Sequence, residues 1–239
     1  MTVHPWTYRD GEVDCRGEIH EPRGAANGGA VLVLHEADGL GQNVRRRCAM
    51  LASLGYVAAA ADLHGDGRVL EGDAMTAAVT RFRADADLMR GRVAAGFAAL
   101  AHRTGLPPTA IGVVGYCFGG YAALEFGRSG AEAASITSFH GLLTTPRPAA
   151  RAAIRAPILV ATGMMDPLVP EQDLEGFERE MRAAHADWHL IRHGRAWHSF
   201  SNPAVERLDD PRMRYEPIAD AVSWAAATAF LAATIAAKA

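Results

Sequence analysis

Cys117 lies at the centre of a Gly-x-Cys-x-Gly-Gly pattern that could place a nucleophile at a sharp turn. The apolar run 111–116 precedes it, and a helix-forming run at 121–126 follows. The backbone at such a turn is strained, so the positions two residues away, Gly115 and Gly119, must lack side chains. The pattern predicts a nucleophile elbow with its thiol at a helix N-terminus, where the dipole favours a thiolate. A buried structural cysteine is the alternative interpretation.

Asp166 and His198 follow later apolar runs, which gives the chain order nucleophile, acid, histidine. In that chemistry His198 takes the proton of the thiol and later protonates the leaving group. Asp166 holds the imidazole in the correct tautomer. Taken singly, Asp166 could cap the helix that begins near Glu171, and His198 could be an ordinary loop histidine. Their order, and their shared position at strand ends, favour the catalytic interpretation.

The elements that must position these residues alternate between strand and helix along the chain. Such alternation predicts an α/β fold, a mostly parallel sheet with helices on both faces, in one domain over residues 1–239. Strands are predicted at 30–34, 56–61, 111–116, 134–139, 157–163 and 188–191, after an antiparallel opening pair at 6–9 and 15–20. Helices are predicted at 42–54, 73–103, 171–185 and 219–239, with another from the elbow to about 128.

Composition excludes several classes of function. A net charge of −3 without long runs of like charge gives no argument for nucleic acid. The apolar C-terminal stretch is alanine-rich and interrupted by polar residues, so a helix packed on the domain is expected rather than a membrane span. The first residues predict no signal peptide, and three widely spaced cysteines predict reduced thiols in the cytoplasm. Evenly spaced histidines at 185, 189 and 193 lack partners at ligand spacing, so no metal site is predicted.

Four segments together resemble the dienelactone hydrolase family, and the similarity runs over nearly the whole chain from about residue 30. The segments are Gly115-Tyr116-Cys117-Phe118-Gly119-Gly120, His35-Glu36, Asp166-Pro167-Leu168-Val169-Pro170 and His198-Ser199-Phe200. The resemblance implies an α/β-hydrolase fold and hydrolysis of a small lactone, ester or thioester through an acyl-enzyme. It also implies that no metal or organic cofactor takes part.

The resemblance assigns further roles around the nucleophile. In the family, a glutamate after the first buried strand contacts the resting thiol and helps to activate it, which points to Glu36 here. A loop carboxylate bonded to nearby amides is the alternative for Glu36. The backbone N–H of Phe118, the residue after the nucleophile, would be one oxyanion donor, and the family pattern places the second at Ala37.

One departure from the family affects the expected substrate. Family members that act on the carboxylated dienelactone place an arginine four residues after the catalytic histidine, and this position is Asn202 here. An amide carries no charge, so the bidentate ion pair with a carboxylate is lost. Arg81 and Arg83 are candidates for a second family arginine, although a solvated helix face also accounts for both. The orientation of Arg195 is left open.

Three more side chains, His64, His140 and Trp197, lie at strand ends or beside His198 and are candidate pocket residues, with structural loop roles as the alternative. The leading hypothesis is a cysteine-dependent hydrolase of small esters or lactones, active as a monomer or small homo-oligomer. An acyl transferase or carbon–carbon hydrolase could use the same acyl-enzyme. A ligand-binding or thiol-sensing protein on the same fold is the hypothesis from another class.

Overall fold

All eight strands of the protein belong to one sheet, in a computed structural model that describes residues 1–236. The strands are β1 (Thr2–Asp10), β2 (Val13–Glu21), β3 (Ala30–Leu34), β4 (Val57–Ala61), β5 (Ile111–Tyr116), β6 (Ser135–Phe139), β7 (Ile158–Gly163) and β8 (Trp188–His193). Residues 237–239, which end the predicted C-terminal helix and the predicted domain, lie outside the described residues.

The strand order is β1-β2-β4-β3-β5-β6-β7-β8, and every pair from β4 to β8 is parallel. The predicted opening pair is confirmed, since β1 and β2 are antiparallel around a short turn and β2 runs antiparallel to β4. β3 and β5 lie side by side at the centre and are fully buried. Their carboxyl ends, where Glu36 and Cys117 follow, therefore meet at one edge of the sheet.

Six helices cover the two faces of the sheet. They are α1 (Gln42–Ser53), α2 (Gly72–Ala84), α3 (Ala86–Thr104), α4 (Phe118–Arg128), α5 (Glu171–Ala183) and α6 (Pro217–Ala236). One face packs against α3, α4 and α5 through residues such as Val93, Leu124 and Phe177. The opposite face packs against α1 and α6 through Leu51 and Leu231. Burial of each side chain of this size stabilises the folded state by roughly 1.5–3 kcal/mol. The predicted α/β architecture, a mostly parallel sheet with helices on both faces, is confirmed.

The prediction of one long helix over residues 73–103 is wrong, because the chain breaks at Asp85. Its backbone is extended, with φ −124° and ψ 95°, and its side chain accepts a hydrogen bond from the N–H of Leu88 at 3.0 Å. Asp85 therefore ends α2 and caps the N-terminus of α3. Aspartate is a preferred N-cap residue, but the apolar spacing continues across the break and conceals it.

Helix α6 is the one helix among residues 1–236 whose length and composition alone would suit a membrane span, over Pro217–Ile235. The structure packs it on the sheet, as predicted, with Ala219, Ala227 and Leu231 buried. Its buried Ser223 lies 2.7 Å from the His193 ring at the end of β8. Only 28% of the apolar window is buried, so packing on the sheet accounts for part of its composition.

Candidate active site

The turn between β5 and α4 holds Cys117 in a conformation that few residues adopt, with φ 52° and ψ −114°. A Cβ atom on Gly115 would lie 1.9 Å from the carbonyl oxygen of Gly119. One on Gly119 would lie 2.3 Å from the carbonyl oxygen of Leu34, at the end of β3. Only glycine fits at both positions, so the sharp turn and the partly exposed cysteine at its apex depend on them.

The side chain of His198 lies between the Cys117 sulfur and the Asp166 carboxylate. Its Nε2 atom is 3.1 Å from Sγ of Cys117, and its Nδ1 atom is 2.7 Å from Oδ2 of Asp166. Since the carboxylate only accepts, Nδ1 carries a hydrogen and Nε2 faces the sulfur. Asp166 does not cap α5, whose N-cap residue is Pro170. Its second oxygen instead accepts from the N–H of Leu168 at 2.8 Å.

The surroundings of His198 favour its charged form. Burial alone would lower the pKa of the imidazole, but the adjacent Cys117 sulfur and the Asp166 carboxylate outweigh burial and raise it to about 10. A histidine in this state can hold a proton for delivery to a leaving group while it pairs with a thiolate. The arrangement is therefore capable of nucleophilic attack followed by proton donation.

Glu36 is buried at the end of β3 and is held by two side-chain amides. Its Oε1 atom accepts from Nδ2 of Asn43 at 3.2 Å and from Nδ2 of Asn202 at 3.0 Å. Burial, and then the nearby Asp38 charge, raise the pKa of Glu36 to about 7, although the two amides lower it in part. The resemblance to the family led us to expect a contact between Glu36 and the resting thiol. In the structure, the hydrogen-bond partner of the Cys117 sulfur is Nε2 of His198.

Glu36→Gln is expected to stabilise the fold at alkaline pH. The pKa of about 7 in the folded state exceeds the ordinary 4.5. Between these values the folded state retains a proton that the unfolded chain has lost, so the free energy of unfolding falls as pH rises. Glutamine does not titrate, and its amide oxygen can accept the hydrogen bonds of both Asn43 and Asn202. We therefore expect the free energy of unfolding to increase by roughly 3 kcal/mol at pH 8 and to change little at pH 4.

Urea denaturation at the two pH values measures the effect. Glu175→Gln, which removes an exposed helical pair with Arg179, is the matched control and should change stability little at either pH. An equal gain from Glu36→Gln at pH 4 and pH 8 would contradict the assigned titration.

The peptide unit between Glu36 and Ala37 is fixed from its carbonyl side. The Glu36 oxygen accepts from Nδ1–H of His35 at 2.6 Å and from the N–H of Gly39 at 3.2 Å. The tautomer of His35 follows from its other nitrogen, Nε2, which accepts from the N–H of Leu63 at 3.0 Å. Because the N–H of a trans peptide points opposite to its carbonyl, these bonds set the direction of the Ala37 N–H.

Phe118 supplies the other predicted oxyanion donor. It is the first residue of α4, so its N–H has no acceptor within the helix. The ring of His64 stacks on the Phe118 ring at 5.8 Å, and its Nε2 atom donates to the carbonyl oxygen of Ala37 at 2.8 Å. His64 thus contacts both residues that carry the candidate donors.

A cavity of about 740 Å³ opens onto Cys117, Glu36 and Ala37. Asn202 also lines it. Its apolar wall consists of Leu40, Val69, Leu70, Met75, Leu208 and Met213. The predicted pocket residues His64, His140 and Trp197 lie elsewhere: His64 borders a second cavity, His140 is fully buried, and Trp197 packs beneath Arg214.

His140 supports the elbow instead of lining the pocket. The backbone N–H of Cys117 donates to two acceptors. They are Nδ1 of His140 at 3.2 Å and the carbonyl oxygen of Phe139 at 3.0 Å. The Nε2 atom of His140 lies 2.8 Å from Oγ of Ser201. Burial, and then the charge on His198, hold the pKa of His140 well below its ordinary value. The neutral ring therefore keeps the lone pair that the Cys117 amide requires.

Sequence reasoning missed the contacts made by Asn43 and His35. Asn43 lies in the first turn of α1 on the buried face that also carries Val44, Cys48 and Leu51, and a polar residue on this face was the available signal. For His35, nothing in the sequence distinguishes a histidine that orients a peptide from one that lines a pocket.

The arginines near the cavity are paired or point away. Arg207 pairs with Asp38 at 3.4 Å, and Arg212 donates two hydrogen bonds to the carboxylate of Asp210. Arg45 pairs with Glu18 at 2.9 Å. Of the earlier candidates, Arg83 donates to Thr144, Arg81 lines the second cavity, and Arg195 is exposed. Within residues 1–236, no three histidine, cysteine or carboxylate side chains are grouped so that they could hold a metal ion.

Comparisons with known proteins bear on the family and on the fold. The sequence pattern of the dienelactone hydrolase family matches residues 15–235. A crystal structure of a dienelactone hydrolase-like promiscuous phosphotriesterase from metagenomic libraries is 32% identical, covers 98% of both chains and superposes with a TM-score of 0.92. The dienelactone hydrolase of Anabaena variabilis is 22% identical over 93% of this chain and 95% of its own, with a TM-score of 0.63. An uncharacterized protein of Caenorhabditis elegans is 32% identical over 51% of this chain and 78% of its own.

Proposed function

Because this chain belongs to the dienelactone hydrolase family and is a hydrolase of the α/β type, we propose that it cleaves small, uncharged esters or lactones through a Cys117 acyl-enzyme. Asp166 and His198 complete the catalytic triad. The observation that carries the proposal is the position of His198, within hydrogen-bond distance of Asp166 and of Cys117, which lines the cavity.

In the first half of the reaction, the Cys117 thiolate attacks the carbonyl carbon and a carbon–sulfur bond forms. The negative charge moves to the carbonyl oxygen, where the N–H groups of Ala37 and Phe118 stabilise it. The carbon–oxygen bond then breaks, and the His198 imidazolium gives its proton to the departing oxygen. An acyl thioester and an alcohol result, or a single ring-opened species when the substrate is a lactone.

In the second half, water attacks the thioester and His198 takes one of its protons. The tetrahedral intermediate collapses, the carbon–sulfur bond breaks, and the carboxylic acid leaves. The thiolate–imidazolium pair is thereby restored, so the cycle needs no further reactant.

The cavity's charges support an uncharged substrate. Asn202 uses one N–H of its amide on Glu36 and its Oδ1 on the N–H of Ala204, so it could offer a substrate carboxylate at most one uncharged N–H. The three arginines of the lining are each paired with a carboxylate. A carboxylated lactone would lose its hydration without gaining an ion pair.

The purified protein should release p-nitrophenol from short-chain p-nitrophenyl esters and should prefer uncharged lactones to carboxylated ones. Asn202→Arg is expected to shift the ratio of kcat/KM values toward a carboxylated lactone by about tenfold, because a guanidinium can bind a carboxylate in bidentate fashion. Asn202→Gln is the matched control, since it lengthens the side chain without adding charge. A wild-type preference for the carboxylated lactone would contradict the proposed substrate class.

A second candidate activity is hydrolysis of phosphotriesters. It is favoured by the close likeness to a protein described as a promiscuous phosphotriesterase. The same thiolate would attack phosphorus and expel an aryloxide, and water would then cleave the phosphorus–sulfur bond to release a phosphodiester and restore the thiolate. Release of p-nitrophenol from diethyl p-nitrophenyl phosphate tests this activity. The proposal requires that Cys117→Ala abolish that release.

The partners that fit this proposal are small esters or lactones. Location in the cytoplasm, and a monomer or small homo-oligomer without nucleic acid or membrane partners, stay predictions from the sequence.

A further inference from the structure

A second cavity of about 300 Å³ lies between α2 and the segment that follows β4. Cys117 does not border it, and Leu70 is the residue that lines both cavities. One wall is apolar and consists of Ala74, Ala77, Ala78 and Phe82 of α2. The volume is at the lower end of the range for small-ligand sites. Nothing in the proposed hydrolysis uses this space.

The lining of this cavity is basic. Arg68, Arg81 and Arg92 border it, and its lining contains no aspartate or glutamate. Arg92 is neutralised by Asp10 at 2.7 Å. Arg68 donates only to backbone carbonyls, and within the described chain Arg81 has no carboxylate at ion-pair distance. Two exposed guanidinium groups therefore border the cavity without a carboxylate partner.

The buried carboxylate of Asp62, at the start of the same loop, is engaged by the backbone. Its two oxygens accept from the backbone N–H groups of Arg16, His64, Gly65 and Gly67, at 2.7 to 3.0 Å. Its charge is thus satisfied within the loop that it organises.

His64 gives a second and independent indication of a ligand. Its Nε2 atom lies 2.8 Å from the Ala37 carbonyl oxygen, which can only accept, so the hydrogen is on Nε2. In the neutral ring, Nδ1 is then a hydrogen-bond acceptor, and this atom is buried without a partner although it belongs to a cavity-lining side chain. Burial lowers the pKa of His64, which keeps the ring neutral. Buried polar atoms are normally satisfied, so an unpaired acceptor beside a cavity points to a missing donor.

We propose that this cavity binds a small oxyanion that also carries an O–H group, such as the monoanion of a phosphate monoester. The charged oxygens contact Arg68 and Arg81, and the O–H donates to Nδ1 of His64. An apolar substituent on the ligand packs against the alanines of α2 and Phe82. The site is separate from Cys117, so it does not depend on the proposed hydrolysis.

Isothermal titration with phenyl phosphate at pH 6 tests the site, because a substantial part of this probe is then the monoanion. Phenyl sulfate has the same shape and a negative charge but no O–H, and benzyl alcohol has no charge. We expect saturable binding of phenyl phosphate, binding of phenyl sulfate at least fivefold weaker, and no binding of benzyl alcohol. Arg81→Gln and Arg68→Gln should each weaken phenyl phosphate at least tenfold. Arg83→Gln, on the same helix but bonded to Thr144, should not.

Alkylation of Cys117 with iodoacetamide separates this cavity from the one at the nucleophile. Phenyl phosphate should bind the alkylated protein as it binds the untreated protein. Absence of saturable binding, loss of binding on alkylation, or unchanged binding in both arginine variants would overturn the proposal. Equal affinity for phenyl sulfate would overturn the role given to His64.

Discussion

Cys117→Ala is expected to lower ester turnover by at least about 10⁴-fold, because it removes the cavity-lining thiol that lies 3.1 Å from Nε2 of His198 and forms the acyl intermediate. His198 and the candidate oxyanion donors would remain, but they would act on water without a covalent step. Folding should be preserved, since alanine meets the same backbone geometry at this position as cysteine. Release of p-nitrophenol from p-nitrophenyl acetate measures the loss.

Cys48→Ala is the matched control for this variant. Cys48 is fully buried in α1 against the sheet, so its removal should cost some stability and leave turnover intact. Mass spectrometry of the wild-type protein, quenched in acid during turnover, should show one added acyl group on the peptide that contains Cys117. Turnover that persists in Cys117→Ala, or an acyl group on another residue, would refute the covalent mechanism.

Gly119→Ala is expected to destabilise the fold by about 4 kcal/mol or more. The new Cβ would lie 2.3 Å from the Leu34 carbonyl oxygen and 2.6 Å from that of His35. Both atoms are backbone at the end of the central strand β3, so relief requires α4 to move away from the sheet. Chemical denaturation followed by far-ultraviolet circular dichroism measures the change.

Gly91→Ala gives the matching comparison. Gly91 lies within α3, and a Cβ there meets no atom within 4 Å. Alanine is the better helix former, so this variant should stabilise the protein by roughly 0.5–1 kcal/mol. Opposite signs for the two substitutions would show that contact with the β3 backbone, rather than helix propensity, decides the outcome. Similar changes in the free energy of unfolding for the two variants would argue against a close approach of Gly119 to the β3 backbone.

The sheet and the grouping of Cys117, Asp166 and His198 could be predicted because they depend on local patterns. Continuous apolar runs identified the parallel strands, and parallel strands bring their carboxyl ends to one edge. The break at Asp85 was not predicted, because apolar spacing of three and four residues continues through it. There a single capping hydrogen bond outweighs the periodicity.

The surroundings of the candidate site were predicted less well than its central residues. Asn202 lines the cavity, and its hydrogen bond to Glu36 joins residues 166 positions apart. His64 and His140 were placed near the site, but which ring atom meets which backbone group depends on loop paths that residue types do not encode. Long-range polar contacts of this kind have no periodic signature in a sequence.

The shared hydrogen bond of the Cys117 amide has a consequence for how reaction rate depends on acidity. His140 must stay neutral to accept that hydrogen, and His198 beside it, at 5.5 Å between ring centres, stays protonated. Neither imidazole therefore changes charge near neutrality. An inflection in kcat/KM near pH 7 would belong to the carboxyl of Glu36, so the pH profile of this histidine-rich site would report a glutamate.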